Sequence, residues 1–389
     1  MSPRAYTAWV IGGCLALLAP VVVLNLLLLA NDYRHDKNRL ASRWQQESGG
    51  VTYAPPISNN RAFKTLRLAD RLPEINTLIF GSSTAMSITA DMLPPGLSAY
   101  NFAQSGNSLR NVIGESQFVV QHFGDRVRWL VIPLDWSLGF VYQSGTPPLA
   151  DLSAAQVASP AALSLAARLR EALSLPRITT LGVVLRGIAR AEDHSAAAHR
   201  MFTEPAGAPY RCADGTMARD YDLTFRGLCV GFRADGSATF ADQKRVTEAA
   251  AQSVVAQAAS ASSQYATALA GKAGQPDAEL LGHLAALLRQ ARARDIHVVF
   301  FLPPLIPGLD ARLLASAHSG EKLRLTKTVL NAWAAQQQVP LFDAGPAERH
   351  GCIATEFIDA HHALPACYRK ITAQLFAARP HDQQLKPLP

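Results

Sequence analysis

Short apolar segments that alternate with helical patterns constrain the fold of this chain more than any other feature. The segments are rich in Val, Ile, Leu and Phe, and they stop at glycine, proline or polar residues, as buried strands do. We predict strands at 77–80, 98–102, 127–132, 296–302 and 339–342. We predict helices at 108–123, 278–294, 321–338 and 366–378. This alternation favours an α/β fold whose parallel sheet is covered by helices on both faces.

The composition changes between the third and fourth predicted strands. Residues 145–276 are rich in Ala, Ser and Arg, so we predict a mostly helical insertion that divides the α/β domain into 75–144 and 277–380. Inside it, residues 201–242 look irregular and suggest a loop stapled by a disulfide. Residues 32–74 are polar and broken by Gly and Pro pairs, which favours a stalk, and residues 381–389 form a predicted flexible tail. With 49% hydrophobic residues among 389, the chain is not disordered as a whole.

The N-terminal segment from Ala8 to Ala30 contains no charged residue and is long enough to span a bilayer. A secretory signal has a shorter apolar region and a small-residue cleavage site, which Leu28-Leu29-Ala30 matches poorly. We therefore predict that residues 1–31 form an uncleaved transmembrane anchor. Charges lie on both sides of this segment, so the positive-inside rule leaves its orientation open.

The cysteines indicate the compartment. Cys14 lies in the apolar segment, and the other four cysteines follow it. Pairing of neighbours would join Cys212 to Cys229 and Cys352 to Cys367, although four cysteines allow three connectivities. Four buried thiols are the alternative, and no Cys/His spacing suggests zinc or another metal site. Disulfides favour a single-pass protein of the bacterial inner membrane with its globular part in the periplasm.

The net charge of +7 favours an acidic partner such as phospholipid headgroups or an anionic polymer. Nucleic acid is not expected, because the basic residues are scattered and aromatic residues make up only 7% of the chain. Residues 175–191 carry three arginines among Leu, Ile and Val. This pattern predicts either a basic helix at the membrane surface or a helix that packs on the core with solvated arginines.

Two short polar motifs lie where strands are predicted to end. Ser82 and Ser83 follow the first strand, and Asp359-x-x-His362 precedes the terminal helix. A second Asp-x-x-His, at 32–35, lies beside the apolar segment and far from any predicted sheet edge. Serine is a weak nucleophile that needs an adjacent base, and the base needs an orienting acid, so these residues could form a triad. Helix capping by the hydroxyls and a surface position for His362 are the structural alternatives.

Three motifs together resemble the SGNH (GDSL-type) hydrolase superfamily. They are Gly81-Ser82-Ser83 after an apolar strand, Asn-Phe-Ala-Gln-Ser-Gly-Asn at 101–107, and Asp359-x-x-His362. The resemblance covers about 75–140 and 285–380 and is closer to the membrane-anchored, envelope-facing members that handle acyl groups on polysaccharides. It implies a three-layer α/β/α fold, flavodoxin-like, with a parallel sheet.

The resemblance also assigns roles to individual residues. It implies that Ser83 is the nucleophile, His362 the general base and Asp359 its orienting acid. The backbone amides of Ser83 and Gly106 would form part of an oxyanion hole, where preorganised donors stabilise the tetrahedral intermediate. No cofactor or metal is implied.

The chain departs from the family pattern after the third strand. The Gly-x-Asn-Asp block that carries the family's third oxyanion donor is absent, and Pro133-Leu134-Asp135-Trp136 stands there instead. Asn101 or Asn107 could supply the missing donor, whereas Asp135 could donate only when protonated. Loss of one such donor typically costs about a hundredfold or more in rate.

The sequence therefore predicts a membrane-anchored serine esterase or O-acyltransferase, with acetyl as the expected group. Its substrate would be a cell-envelope or exported glycan, and proteins of polysaccharide synthesis are possible partners. The alternative is a catalytically inactive relative that binds glycan or scaffolds an envelope complex. The absent asparagine favours the alternative, and the intact Ser83, Asp359 and His362 favour the enzyme.

Overall fold

The computed structural model describes residues 2–30, 37–48, 52–54, 60–136, 165–190, 193–203, 209–212, 215–220, 230–240, 244–270 and 276–377. The chain divides into two units. The first unit contains Met1–Pro56 and Gln156–Cys229, and the second contains Ile57–Ala155 and Val230–Pro389. The predicted insertion is thus divided between the units, and the predicted tail lies outside the described residues.

The helices and strands of the described residues are numbered along the chain. The α-helices are α1 (Pro3–Ala30), α2 (Lys37–Ser48), α3 (Arg61–Arg71), α4 (Leu109–Phe123), α5 (Leu165–Ala172), α6 (Leu175–Arg190), α7 (His194–Thr203), α8 (Glu248–Ala258), α9 (Gln264–Ala270), α10 (Ala278–Arg292), α11 (Leu309–Ala315), α12 (Gly320–Gln336) and α13 (Pro365–Ala377). The β-strands are β1 (Thr52–Ala54), β2 (Thr77–Ile79), β3 (Ala99–Asn101), β4 (Trp129–Pro133), β5 (Tyr210–Arg211), β6 (Met217–Asp220), β7 (Val230–Phe232), β8 (Ala238–Phe240), β9 (His297–Leu302) and β10 (Leu341–Asp343).

A parallel five-stranded sheet forms the centre of the second unit, with the order β10-β9-β4-β2-β3. In register, Leu78 of β2 lies opposite Tyr100 of β3 and Leu130 of β4. Taken in chain order, the strands have the 2-1-3-4-5 arrangement of a doubly wound sheet. Its switch point, where such sheets place their sites, lies at the carboxyl ends of β2 and β4. The predicted α/β organisation with a parallel sheet is confirmed.

Local sequence explains where these elements begin. All residues of β2 and β4 are buried, as expected for apolar strands inside a parallel sheet. Helix α4 begins after Ser108, whose Oγ accepts a hydrogen bond from the Asn111 N–H at 3.3 Å. Helix α10 begins after Asp277, whose carboxylate accepts from the Leu280 N–H at 2.8 Å. Side chains at these positions satisfy N–H groups that the helix leaves without partners.

Two predicted segments differ from the structure. Residues 201–242 were expected to be irregular, but strands β5 to β8 lie there, with β7 and β8 paired as an antiparallel hairpin. The hairpin turn contacts the end of β3, because the Asn101 N–H donates to the Asp235 carbonyl at 2.7 Å. The predicted stalk contains α2 and α3, and α3 belongs to the second unit, where Phe63 stacks on Phe232.

Helix α1 dominates the first unit. Residues Pro3–Leu28 have a mean hydropathy of 2.5, and the helix is long and apolar enough to cross a membrane. Near its C-terminal end, Leu28 packs with Leu181 and Val184 of α6. The buried Asn25 side chain donates to the Ala172 carbonyl at the end of α5, at 2.8 Å. Strand β1 of this unit pairs in parallel with β6, which pairs antiparallel with β5.

The cysteines are paired in part as the sequence predicts. Cys352 and Cys367 form a disulfide with an S–S distance of 2.06 Å, which links the start of the His362 loop to α13. Cys212 is also disulfide-bonded, and its predicted partner Cys229 lies outside the described residues. Cys14 is a free, exposed cysteine on α1.

Candidate active site

The turn after β2 presents one hydroxyl to the solvent and buries the two beside it. Gly81 has a φ of +138°, and a Cβ there would meet the Pro133 ring at 2.5 Å, so the position requires glycine. Ser82 caps the short helical turn, its Oγ accepting from the Thr84 N–H at 3.3 Å. Ser82 and Thr84 are buried, whereas Ser83 is partly exposed. The capping role expected for these hydroxyls therefore belongs to Ser82 and leaves Ser83 available.

Ser83, His362 and Asp359 form a continuous hydrogen-bonded line. His362 Nε2 lies 2.8 Å from Ser83 Oγ, and His362 Nδ1 lies 2.6 Å from Asp359 Oδ2. With Asp359 ionised, Nδ1 donates to the carboxylate, and Nε2 is left to accept the Ser83 proton. Both distances are within reach for proton transfer. The structure thus joins two motifs that are 279 residues apart in sequence.

Asp359 also shapes the loop that carries the base. Its Oδ1 accepts from the backbone N–H groups of His361 and His362, both at 2.9 Å. The loop is closed by a bridge between Phe357 and Ala363. Although partial burial acts to raise it, the pKa of Asp359 is held below its usual range, chiefly by the hydrogen bond from His362 and then by the charge of the two imidazoles. Asp359 is therefore an ionised carboxylate that orients His362.

A second imidazole and a tyrosine lie beside the triad. The His361 ring is 4.2 Å from the His362 ring, and its Nδ1 lies 2.6 Å from the Tyr265 hydroxyl of α9. Burial and the neighbouring His362 lower the pKa of His361, and burial raises that of Tyr265. The Tyr265 hydroxyl therefore keeps its proton and can donate a hydrogen bond to His361 Nδ1, and the predicted insertion contributes this tyrosine to the site.

The two backbone amides expected in an oxyanion hole have no partner among the described residues. The N–H of Ser83 is the first of the short helical turn Ser83–Ala85, and the N–H of Gly106 lies in the turn before α4. Gly106 has a φ of +63°, which favours glycine, and it is exposed. Both groups are free to donate to a developing oxyanion.

The two candidate asparagines differ in what their side chains bind. Both Nδ2 hydrogens of Asn101 are used, by the carbonyls of Ala85 and Ile88 at 2.8 Å each. Asn107 Nδ2 donates to Glu115 at 3.0 Å, which leaves one hydrogen without a partner among the described residues. Only Asn107 can therefore supply an extra oxyanion donor without losing a bond.

The carboxylate of Asp135 is hydrogen-bonded to the serine turn. Its Oδ2 accepts from the hydroxyls of Ser82, at 2.7 Å, and Thr84, at 3.0 Å. These bonds tie the carboxyl end of β4 to the serine turn. Asp135 therefore positions the turn that presents Ser83.

A buried polar layer supports the 101–107 loop. Lys64 is fully buried, and its Nζ donates to the carbonyls of Asn101, at 3.0 Å, and Ala103. Burial lowers the pKa of Lys64 well below its usual value. Glu115 of α4 lies 2.5 Å from Arg61, and burial, partly opposed by Arg61, raises its pKa to about 7. We call Lys64, Arg61, Glu115 and Asn101 the support layer. Their side chains fix the loop that carries Gly106.

Sequence reasoning did not identify several residues of this region. Tyr368 of α13 is buried and donates to the Thr84 carbonyl at 2.5 Å, which attaches the last helix to the serine turn. Tyr265, Lys64 and Glu115 were also missed. A single tyrosine or charged residue in an amphipathic helix has no distinguishing pattern, because core and surface positions use the same residue types.

Two groups in the described part of the chain place metal-ligand atoms together. Cys352 and Cys367 of the first group are joined in the disulfide and cannot ligate. In the second group, atoms of Asp359, His361 and His362 lie within 4.8 Å of one another. Metal binding there would compete with the hydrogen bonds that connect the triad.

Comparison with known proteins does not name a family. No protein-family model matches the sequence, and no curated protein matches it. The chemistry of this chain must therefore be inferred from the geometry at the carboxyl edge of its sheet.

Proposed function

We propose that this protein is a serine esterase or O-acyltransferase of the SGNH type. The observation that carries the proposal is the line of hydrogen bonds from Asp359 through His362 to Ser83. It lies at the carboxyl ends of parallel strands, where doubly wound sheets place their sites. The strand order and the free amides of Ser83 and Gly106 support the three-layer arrangement and oxyanion hole of that superfamily.

The geometry supports a two-step acyl transfer. Ser83 Oγ would bond to the acyl carbonyl carbon while its proton moves to His362 Nε2. The bond to the donor's alcohol oxygen then breaks, and that oxygen takes the proton from His362. Water or a sugar hydroxyl attacks the acyl-serine, gives its proton to His362, and Ser83 leaves with that proton. A water acceptor makes the protein an esterase, and a sugar hydroxyl makes it a transferase.

The substrate and location are proposed from the apolar helix and the disulfide. The apolar helix α1 supports a single membrane span, and the disulfide between Cys352 and Cys367 supports an extracytoplasmic site in the periplasm. An acetylated glycan of the cell envelope fits this location, and partner proteins of polysaccharide synthesis would work beside it. The reaction as written needs no cofactor.

A second candidate is an inactive protein that uses the same cleft to bind glycan or to scaffold a complex. One observation favours it. The side chains of Asn101 and Asp135 are engaged by the serine turn and its surroundings, so of these three candidates Asn107 is the one that can replace the donor of the family's absent asparagine. A poor oxyanion hole would leave a triad with little activity.

Labelling of the full-length protein in detergent with a fluorophosphonate probe separates the two candidates. The probe reacts covalently only with an activated serine, so the enzyme should be labelled at Ser83, as located by peptide mass spectrometry. Ser83→Ala should abolish labelling. Ser98→Ala is the matched control, because Ser98 is an exposed serine before β3, at the opposite edge of the sheet. A folded protein that is not labelled contradicts catalysis and favours the inactive reading.

A further inference from the structure

One face of the C-terminal part of α1 is covered by protein, whereas the N-terminal part of the helix is exposed. Side chains such as Leu15, Leu17 and Leu18 are between 46% and 76% exposed. From Val21 onward, α1 packs against helices of the same unit, and Leu28 is completely buried. The covering helices are therefore level with the last turns of the apolar segment.

The covering helices themselves expose large apolar side chains. On α5 and the turn after it, Leu165, Leu169 and Leu173 are 39% to 71% exposed. On α6, Leu175 is 77% exposed, and Ile178 and Leu185 exceed 40%. In a water-facing helix hairpin, so many exposed leucines at one corner would be unfavourable.

The same two helices are strongly basic. Residues 165–190 contain five arginines and one glutamate. Arg170, Arg186 and Arg190 are exposed, whereas Arg177 is buried. Leucines combined with exposed arginines are typical of helices that lie in the interface of a bilayer with anionic lipids.

We infer that the corner formed by α5 and α6 inserts into the bilayer surface beside α1. Three observations agree on this occupant: the corner packs on a helix able to span a membrane, it is level with the end of that helix's apolar segment, and its charge suits lipid phosphates. The leucines would lie among acyl chains and the exposed arginines among phosphates. The buried amide of Asn25, which donates to the Ala172 carbonyl, fixes the corner to α1.

The inference goes beyond the proposed acyl transfer but rests on the proposed membrane span. One face of α6 packs on α1, and the inference assigns its exposed face to the membrane surface. It also predicts that the first unit is held against the membrane by more than a single helix.

Depth-dependent fluorescence quenching in liposomes tests this inference on the full-length chain. An environment-sensitive maleimide is attached to native Cys14, or, in a Cys14→Ala background, to Leu175→Cys or Leu325→Cys. The vesicles contain phosphatidylglycerol and a lipid with a nitroxide either near the top or near the end of its acyl chain. Leu325 is the matched control, because it is a 49% exposed leucine on α12 of the second unit.

With the nitroxide near the top of the acyl chain, we expect the label at 175 to be quenched several-fold more than the label at 325. The label at Cys14, near the middle of the span, should be quenched mainly by the nitroxide near the end of the chain. Quenching at Cys14 but not at 175 would overturn the inference. Absence of quenching at Cys14 would overturn the membrane span itself. Both outcomes are independent of serine labelling, so a failure here is distinguishable from a failure of the proposed enzymatic activity.

Discussion

The triad and the support layer are two polar groups that lie close together at the carboxyl edge of one sheet, yet they differ in exposure. The side chains of His362 and Asp359 are 24% and 46% exposed, and Ser83 is partly exposed. In contrast, Lys64, Asn101 and Glu115 are at most 2% exposed. The side chains of the support layer bond to backbone carbonyls and to neighbouring side chains, whereas the triad remains partly exposed.

This difference in exposure corresponds to two different roles for polar side chains. A buried polar group that is fully bonded stabilises a single loop conformation, whereas a partly exposed one can exchange protons with a substrate. Substitutions in the triad should therefore change the rate with little effect on stability. Substitutions in the support layer should do the reverse.

The largest effect is expected when the two adjacent histidines are compared. His362→Ala removes the base, and hydrolysis of p-nitrophenyl acetate should fall by about 10³-fold or more. His361→Gln keeps a side chain that can bond to Tyr265, so its rate should fall by less than about tenfold. Both variants should unfold near the wild-type temperature. Equal losses of rate would show that the geometry assigns the base to the wrong imidazole.

The next effect compares the two asparagines. Asn107→Ala removes the remaining candidate side-chain donor to the oxyanion, and kcat should fall by about a hundredfold. Asn101→Ala leaves the carbonyls of Ala85 and Ile88 without donors, so the free energy of unfolding should fall by about 2 kcal/mol or more. Steady-state kinetics and denaturant titration of both variants check this. If Asn107→Ala mainly lowered stability, Asn107 would belong to the support layer.

The sequence was sufficient to predict the sheet and to bring Ser83 and His362 to the same edge. Their motifs follow predicted strands, and the carboxyl ends of parallel strands meet at one edge, so distance along the chain did not matter. Glycine at 81 was also informative, because only a residue without a side chain fits against Pro133. These features depend on backbone constraints that leave a mark in a single sequence.

The support layer and the packing of the first unit could not be predicted in this way. Lys64 and Glu115 lie on amphipathic helices, where charged residues usually face solvent, and their burial depends on partners far away in sequence. Likewise, the pattern of residues 175–191 left open a helix at the membrane surface or on the core, and did not identify α1 as the helix on which it packs. Long-range side-chain contacts of this kind depend on the completed fold.

The smallest effect concerns the protonation of Glu115. Burial raises the folded-state pKa of Glu115 to about 7, whereas an unfolded glutamate has a pKa of about 4.3. Between these values the folded protein binds more protons than the unfolded chain, so this group's contribution to stability falls as pH rises through the window.

Glu115→Gln removes this dependence. Wild type should therefore lose stability relative to the variant when the pH of the denaturation experiment is raised from about pH 5 to about pH 8. Glu279→Gln, at an exposed glutamate of α10, is the control and should show no such change. A constant difference between wild type and Glu115→Gln would mean that Arg61 keeps Glu115 ionised, so that the support layer, like Asp359 in the triad, holds a permanent charge.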